Sequence, residues 1–461
     1  MSKNNEANKL RIEQVLASFK IGHGEIIVTP GPTVTLYEFK PSVGVRASKI
    51  RNLKDEFSMA LEVNSVRVIA PTERGTVGIE VPNSDRDNIG MMEMLYSDEY
   101  METNMELPLV IGKKVDNSVF MADLATMPHL LVAGATGMGK SVGLNVIISS
   151  LLNKLTPDEL KLVLVDPKQV ELSIYDTIAK PYLAHLKGLP PISTTPEEAK
   201  QTLDAVIRLM ESRYTVLKDA GVRNIQDYNG LSGVKSLPYY VIVIDEYGDL
   251  ILQGSKEMEN AICRIAQKAR AVGIHMIIST QRPDTKIVTG NIKANFPTRI
   301  AFRTTTGTDS RVILDRIGAE RLTGRGDMLF FNGGDSTRVQ CAYISTEEVN
   351  EMCHEMAEEW SGCDETFLPD EQVVTPNKPQ LLVETLQMIY KLPNMTEMPH
   401  LYGSSKLIKP VEWEVLHQLY DIGCVKNKIR YNKNLECAEW VDVVVMHNIE
   451  EILQRAKAIF A

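Results

Sequence analysis

Positive charge is in short supply. Across 461 residues, 50 lysines and arginines face 60 aspartates and glutamates, for a formal net charge of −10. A uniformly basic, indiscriminate nucleic-acid binder is thereby excluded, though not a local basic surface. Cysteine is also scarce: six residues, at 263, 341, 353, 363, 424 and 437, with no pair at CxxC spacing. That is too sparse for a disulfide scaffold and implies reduced thiols in a cytosolic compartment. Cys353-His354 and Cys363 lack the paired spacing of a structural zinc site. No run approaches the roughly 18 apolar residues of a membrane helix. The N-terminal MSKNNEANKLRIEQ is polar, without an apolar signal core. The chain therefore reads as soluble and cytoplasmic, with no membrane segment. Aromatics make up only 6%, which counts against a strand-separating channel built on base stacking.

What remains is an ordinary globular composition, 44% hydrophobic, long enough for two or three domains. Residues 1–105 read as a small α+β unit. It has a helix over Lys9–Phe19, strands at Glu25–Val28 and Thr33–Phe39 around Pro30-Gly31-Pro32, and a helix over Ala47–Leu61. A hairpin follows over Ser65–Val81, and Asn83-Ser84-Asp85 opens a mostly helical stretch to Tyr100. Residues 106–365 alternate strand and helix, the pattern of a parallel α/β sheet. Strands are expected at His129–Ala133, Lys161–Asp166, Tyr239–Ile244, Ile274–Ser279, Arg299–Arg303 and Met328–Phe331. A long helix over Pro196–Ala220 carries a capping box, Thr195 with Glu198, and a glycine stop at Gly221. Residues 366–461 read as a proline-marked linker and a mostly helical segment.

The strongest chemical signal is Gly134-Ala135-Thr136-Gly137-Met138-Gly139-Lys140-Ser141, which matches GxxxxGK[ST] between an apolar strand and a helix. Glycines let the backbone curl around phosphate, and the helix N-terminus favours negative charge. Lys140 is placed to reach the β- and γ-phosphates of ATP, and Ser141 to ligate Mg²⁺. The second signal is an apolar run, Tyr239–Ile244, ending in Asp245-Glu246. At the carboxyl end of a strand, Asp245 suits the Mg²⁺ shell and Glu246 a general base toward water. Alone, that pair equally suits a solvated acidic turn; the phosphate loop upstream decides for chemistry. The third is Ile277–Ser279 running into Thr280-Gln281-Arg282-Pro283, where Gln281 suits a γ-phosphate sensor or a capped loop. Arg264, Lys268 and Arg270 stripe one helix. Such a stripe is either a solvated face or the source of an arginine acting on a neighbouring subunit's nucleotide. These features describe a P-loop ATPase and do not name what it moves.

The lead-in Met127-Pro128-His129-Leu130-Leu131-Val132-Ala133-Gly134 resembles the FtsK/SpoIIIE family of DNA translocases, as do Val165-Asp166-Pro167-Lys168 and Glu171-Leu172-Ser173. Glu211-Ser212-Arg213-Tyr214, Gln267-Lys268-Ala269-Arg270, Asp309-Ser310-Arg311 and Gly324-Arg325-Gly326-Asp327 extend the likeness, and upstream Gly44-Val45-Arg46 and Val81-Pro82-Asn83 resemble its α subdomain. The resemblance implies an α subdomain at 1–105 and a RecA-like motor at 106–365. It also implies a ring, usually of six copies, around double-stranded DNA that is driven through the channel by ATP hydrolysis. For the arginine acting between subunits it favours Arg270 over Arg264. Channel candidates are Lys286, Lys293 and Arg299, with ordinary solvated side chains as the alternative. The chain departs from the family's membrane-anchored members in starting directly at the α subdomain. Residues 366–461 do not show a winged-helix pattern, although Lys426, Lys428, Arg430 and Lys433 form a local basic cluster. A protein-secretion or conjugative-coupling ATPase of the same superfamily is the competing reading.

Overall fold

In the computed structural model, residues 3–370 are described apart from 73, 254–255 and 335, together with short strands between 425 and 445. The chain divides into two compact units, 1–370 and 371–461.

After the helix Lys3–Ser18, the first unit carries four strands, β1 (Ile27–Pro30), β2 (Val34–Phe39), β3 (Arg67–Ile69) and β4 (Val77–Pro82). They form an antiparallel sheet in the order β1-β2-β4-β3. Tyr37 and Phe39 of β2 and Ile79 and Val81 of β4 point to one face, as the two-residue period of a strand requires. The helices Lys3–Ser18 and Lys54–Leu61 cover that face with Ile12, Leu16, Phe57 and Leu61. The single helix expected over Ala47–Leu61 is two, Ala47–Arg51 and Lys54–Leu61, parted at Asn52 and Leu53.

The helix expected from Asn83 does not form there. Asn83 donates its side-chain amide to the Gly31 carbonyl at 2.8 Å and accepts from Thr35 Oγ1 at 2.8 Å. A side chain committed to these long-range bonds cannot cap a helix, and helices begin only at Met91 and Asp98. Ile89, Met91, Met94, Leu95 and Tyr100 pack into the core of the larger body. Residues 89–100 thus pack with the larger body.

The larger body carries β5 (Pro108–Lys114), β6 (Val119–Asp123), β7 (His129–Ala133) and β8 (Leu160–Val165). Next come β9 (Ala184–His185), β10 (Ile192–Ser193), β11 (Tyr239–Ile244), β12 (Ile274–Thr280) and β13 (Thr298–Phe302). Last are β14 (Asp327–Asn332), β15 (Ser336–Cys341) and β16 (Thr366–Phe367), the last pairing with β9. The other ten strands form one sheet in the order β10-β8-β11-β12-β7-β13-β14-β15-β5-β6. From β10 to β13 every pair is parallel. Beyond β13 every pair is antiparallel. The expected parallel sheet is thus present and extended by an antiparallel flank.

Alternate residues of the parallel strands enter two separate cores, so the sheet lies between helical layers, an α/β architecture. Leu130, Leu162, Val241 and Ile277 face one side, with the helix Lys140–Lys154. Leu131, Val163, Ile242 and Ile278 face the other, with the helices Pro196–Asp219 and Lys256–Lys268. The capping box expected at Thr195 and Glu198 is formed.

The two bodies are joined by a buried ion network. Arg338 of β15 donates to both carboxylate oxygens of Asp327, at 2.9 and 2.6 Å, and to Glu80 of β4. Arg67 of β3 completes it from the small body, 3.2 Å from Glu80 Oε1.

In the second unit, Val425–Lys426 pairs with Val444–Val445 and Ile429–Asn432 with Cys437–Trp440, both antiparallel. The rest of the expected helical segment, and the side chains of the Lys426, Lys428, Arg430 and Lys433 cluster, lie outside the described residues.

Candidate active site

The carboxyl ends of β7, β11, β12 and β8 converge on one point, where an open α/β sheet binds its ligands. The turn from β7 into the helix Lys140–Lys154 is the glycine loop. Gly139 has φ of +111°, and a Cβ there would lie 2.6 Å from the Gly326 nitrogen. Only glycine fits a turn of that hand at that approach. Gly134 is equally confined, since its Cβ would fall 2.6 Å from Phe302 Cβ on β13. The loop is braced from late in the chain: Ala135 N–H donates to the Arg303 carbonyl at 2.9 Å, and Gly326 N–H to the Met138 carbonyl at 3.1 Å.

At the head of the following helix, Lys140 is 3% exposed. Its ammonium donates to Ser279 Oγ at 2.8 Å and to Asp245 Oδ1, and the Ser279 hydroxyl also donates to Asp245 Oδ1, at 2.8 Å. β7, β11 and β12 are thereby tied at one lysine. Asp245 Oδ2 is buried without a hydrogen-bond partner among the described residues. A buried carboxylate oxygen lacking a donor suits a hard cation such as Mg²⁺, which a serine hydroxyl can help to hold. Ser141, next to Lys140 in the chain, carries such a hydroxyl, and here it donates to Glu171 Oε1 at 2.5 Å.

Glu246 has φ of +51°, in the left-handed region, a conformation that non-glycine residues hold only when their surroundings enforce it. The enforcement is visible. Its fully buried carboxylate accepts from Thr280 Oγ1 at 2.8 Å and from Gln281 N–H at 3.1 Å. Lys168 Nζ lies 3.4 Å away and also reaches Asp249, at 3.5 Å. Burial pulls the Lys168 ammonium down, but Glu246 and Asp249 outweigh it and hold its pKa above the ordinary lysine value. Thr136 Oγ1 donates to Gln281 Oε1 at 2.7 Å, so the glycine loop touches Gln281 directly. Glycine loop, Lys140, Ser141, Asp245, Glu246 and Gln281 thus meet in one place.

Arg270 does not join them. It lies exposed between the helix Lys256–Lys268 and β12, at the amino end of that strand and so at the opposite edge of the sheet. Arg264 is paired with Glu211. Arg299 is a correction: it is 6% exposed and donates to the carbonyls of Phe296, Ile313 and Lys293 and to Asp315. A cation with its donors so occupied inside the fold cannot line a channel. Lys293 is held by Asp315 at 2.7 Å, and Lys286 is exposed. Lys168, Glu171, Ser279 and Thr280 gained no role from sequence reasoning. The one signal for the last two was a pair of hydroxyls closing an apolar strand.

Comparison with known proteins fits this geometry. A model of the FtsK/SpoIIIE family matches residues 91–285, and one of the FtsK alpha domain matches residues 1–83. The DNA translocase FtsK of Chlorobaculum tepidum is 43% identical over 369 residues, covering 78% of this chain and 46% of that protein. The DNA translocase SpoIIIE of Bacillus subtilis is 41% identical over 402 residues, covering 84% and 50%. The chain spans about half the length of the curated relatives it matches. Among solved structures, the conjugation coupling protein TcpA of pCW3, in its monomer form with ATPγS, shares the fold. Its TM-score is 0.54 at 24% identity, over 78% of this chain and 99% of that one. Two family models in tandem, and relatives above 40% identity across both bodies, make this chain a member of the FtsK/SpoIIIE family.

Proposed function

We propose that this chain is the motor of an ATP-dependent double-stranded DNA translocase that works as a homo-oligomeric ring in the cytoplasm. One observation carries the reading: Lys140, Asp245 and Ser279 are tied together beside a buried, aimed Glu246, in a chain whose relatives are named DNA translocases. The glycine loop, Gly134 to Gly139, wraps the nucleotide phosphates, and Lys140 leaves Asp245 to neutralise the β- and γ-oxygens. Ser141 and Asp245 would hold Mg²⁺, which when bound would supply charge neutralisation on the transferred phosphoryl group. Glu246 takes the proton of the attacking water, and Gln281, in touch with the loop through Thr136, orients that water. Arg270 lies too far from its own site to act there, which suits a role at the nucleotide of an adjoining copy. Lys286 and Lys293 are the candidates to meet DNA phosphates, a contact that needs no base readout.

Steady-state ATPase rates test this without DNA, with long linear duplex and with single-stranded DNA, at low and moderate salt. Stimulation by duplex that grows with its length and weakens with salt is expected. Equal rates in all three conditions would refute DNA as the substrate.

A further inference from the structure

The segment after β8 is shaped by one carboxylate. Asp166 is fully buried. Its Oδ1 accepts from the backbone N–H groups of Lys168 and Gln169, and its Oδ2 from those of Val170, Glu171 and Leu172, all at 3.0–3.1 Å. Five bonds onto one side chain give residues 166–172 a fixed curl, with Gln169 at φ of +55°. The curl presents two side chains to different partners in the site. Glu171 meets the Ser141 hydroxyl, and Lys168 lies between Glu246 and Asp249.

Glu246 needs a charged partner. A carboxylate with no exposure is costly unless paired and hydrogen-bonded. Thr280 and Gln281 supply neutral donors, and among the described residues Lys168 is the cation in contact with it. Asp249 is shared with Arg282, 3.8 Å away, so a second cation stands behind the first. The Lys168 side chain keeps 38% exposure, so it is not a packing element of the core.

We propose that Lys168 is a positioning residue for hydrolysis: held by the Asp166-anchored curl, its ammonium fixes the direction of the Glu246 carboxylate. This rests on the reading of the chain as an ATPase with Glu246 as base. Lys168 does not take the proton. It sets where the proton is received, while Glu171 on the same curl holds Ser141.

The test compares Lys168→Met, which keeps length and loses charge, with Lys168→Arg, which keeps charge. For each, kcat and KM for ATP are measured with saturating long duplex DNA, the Kd of a fluorescent ATP analogue by titration, and the melting temperature. In Lys168→Met, kcat falls on the order of 10²-fold, the scale of a misplaced reacting group. Analogue Kd stays at its wild-type value, the melting temperature falls modestly because the buried Glu246 loses its cation, and Lys168→Arg recovers part of the lost kcat. The inference is overturned if kcat in Lys168→Met stays within about twofold of wild type, a change too small for a displaced base. It is overturned equally if the loss follows Kd, if it disappears when each variant is assayed at the same distance below its own melting temperature, or if arginine does no better than methionine. Wild-type chain without turnover overturns the ATPase reading and this inference with it; active wild type beside an unaltered Lys168→Met overturns the inference alone.

Discussion

Replacing Arg338 by Met tests how the two bodies are held together. Arg338 is 6% exposed, and Asp327 and Glu80, its two acidic partners, are 0% and 2% exposed. Methionine fills a similar volume but leaves both carboxylates buried without their main cation. Asp327 retains Thr323, whose N–H and hydroxyl donate to it at 2.6 and 2.8 Å, and Glu80 retains Arg67 at 3.2 Å. Breaking a buried pair from one side costs about 3–5 kcal/mol, and the surviving donors place this case toward the lower end. In a unit of 370 residues that is a fall of roughly 4–6 °C in melting temperature. Burial raises the Asp327 carboxyl, but Arg338 more than offsets it and holds the group below the usual range. Without Arg338 the cost is therefore partly relieved by protonation in mild acid. The assay is thermal unfolding of Arg338→Met, alone and combined with Glu80→Gln. The double variant regains stability, because it removes one of the two stranded charges. A melting temperature within about 1 °C of wild type for the single variant (about 1 kcal/mol or less), or no recovery in the double, would refute the reasoning.

Glu246→Gln keeps nucleotide binding, measured with a fluorescent ATP analogue, and lowers turnover by at least about 10²-fold, the usual contribution of a general base; near-normal turnover would remove Glu246 from that role. Arg270→Ala binds nucleotide normally and loses turnover, and its subunits depress the rate of wild-type chains on mixing beyond simple dilution, whereas plain dilution would make Arg270 a surface residue. Below pH 6.5 the chain loses stability through His129 and His275. Burial first, then His275, pulls His129 down to about 3, and burial pulls His275 down to about 4. The folded values lie below the unfolded one, so the unfolded chain binds protons first and stability falls as pH drops. At pH 5.5 the loss is about 1.4 kcal/mol per histidine. Denaturant midpoints at pH 7.5 and 5.5 in wild type and His275→Asn check it, since the variant gives the smaller shift.

The phosphate loop, the acid pair and the strands bearing them were legible because their signal is local. A glycine run between strand and helix, or an all-apolar strand ending in two acids, needs few arrangements to explain it. The flank of β15, β5 and β6 was not legible. β5 opens on a short buried apolar run, Pro108–Ile111, but ends on Lys113 and Lys114, and β6 only alternates over Val119–Asp123, so neither shows the unbroken apolar run of the central strands. Asn83 looked like a helix cap because nothing nearby shows that its amide serves Gly31 and Thr35. Arg299 looked like a free cation because Asp315, which neutralises it, is recruited by tertiary folding. Lys168 and Glu171 escaped for a related reason. Their directions are set by how Asp166 gathers the backbone, a property of shape rather than of residue spacing.

The braces of the glycine loop bear on the order in which the protein is made. Its own residues are finished by Ser141, yet Phe302, Arg303 and Gly326, which hold it in shape, leave the ribosome much later. β5, made before the loop, pairs only with β6 until β15 arrives with residues 336–341. A nascent chain halted before Phe302 thus carries every residue of the glycine loop and none of its braces. The loop takes its shape only after β13 and the turn before β14 have been made, by contacts that are long-range in sequence.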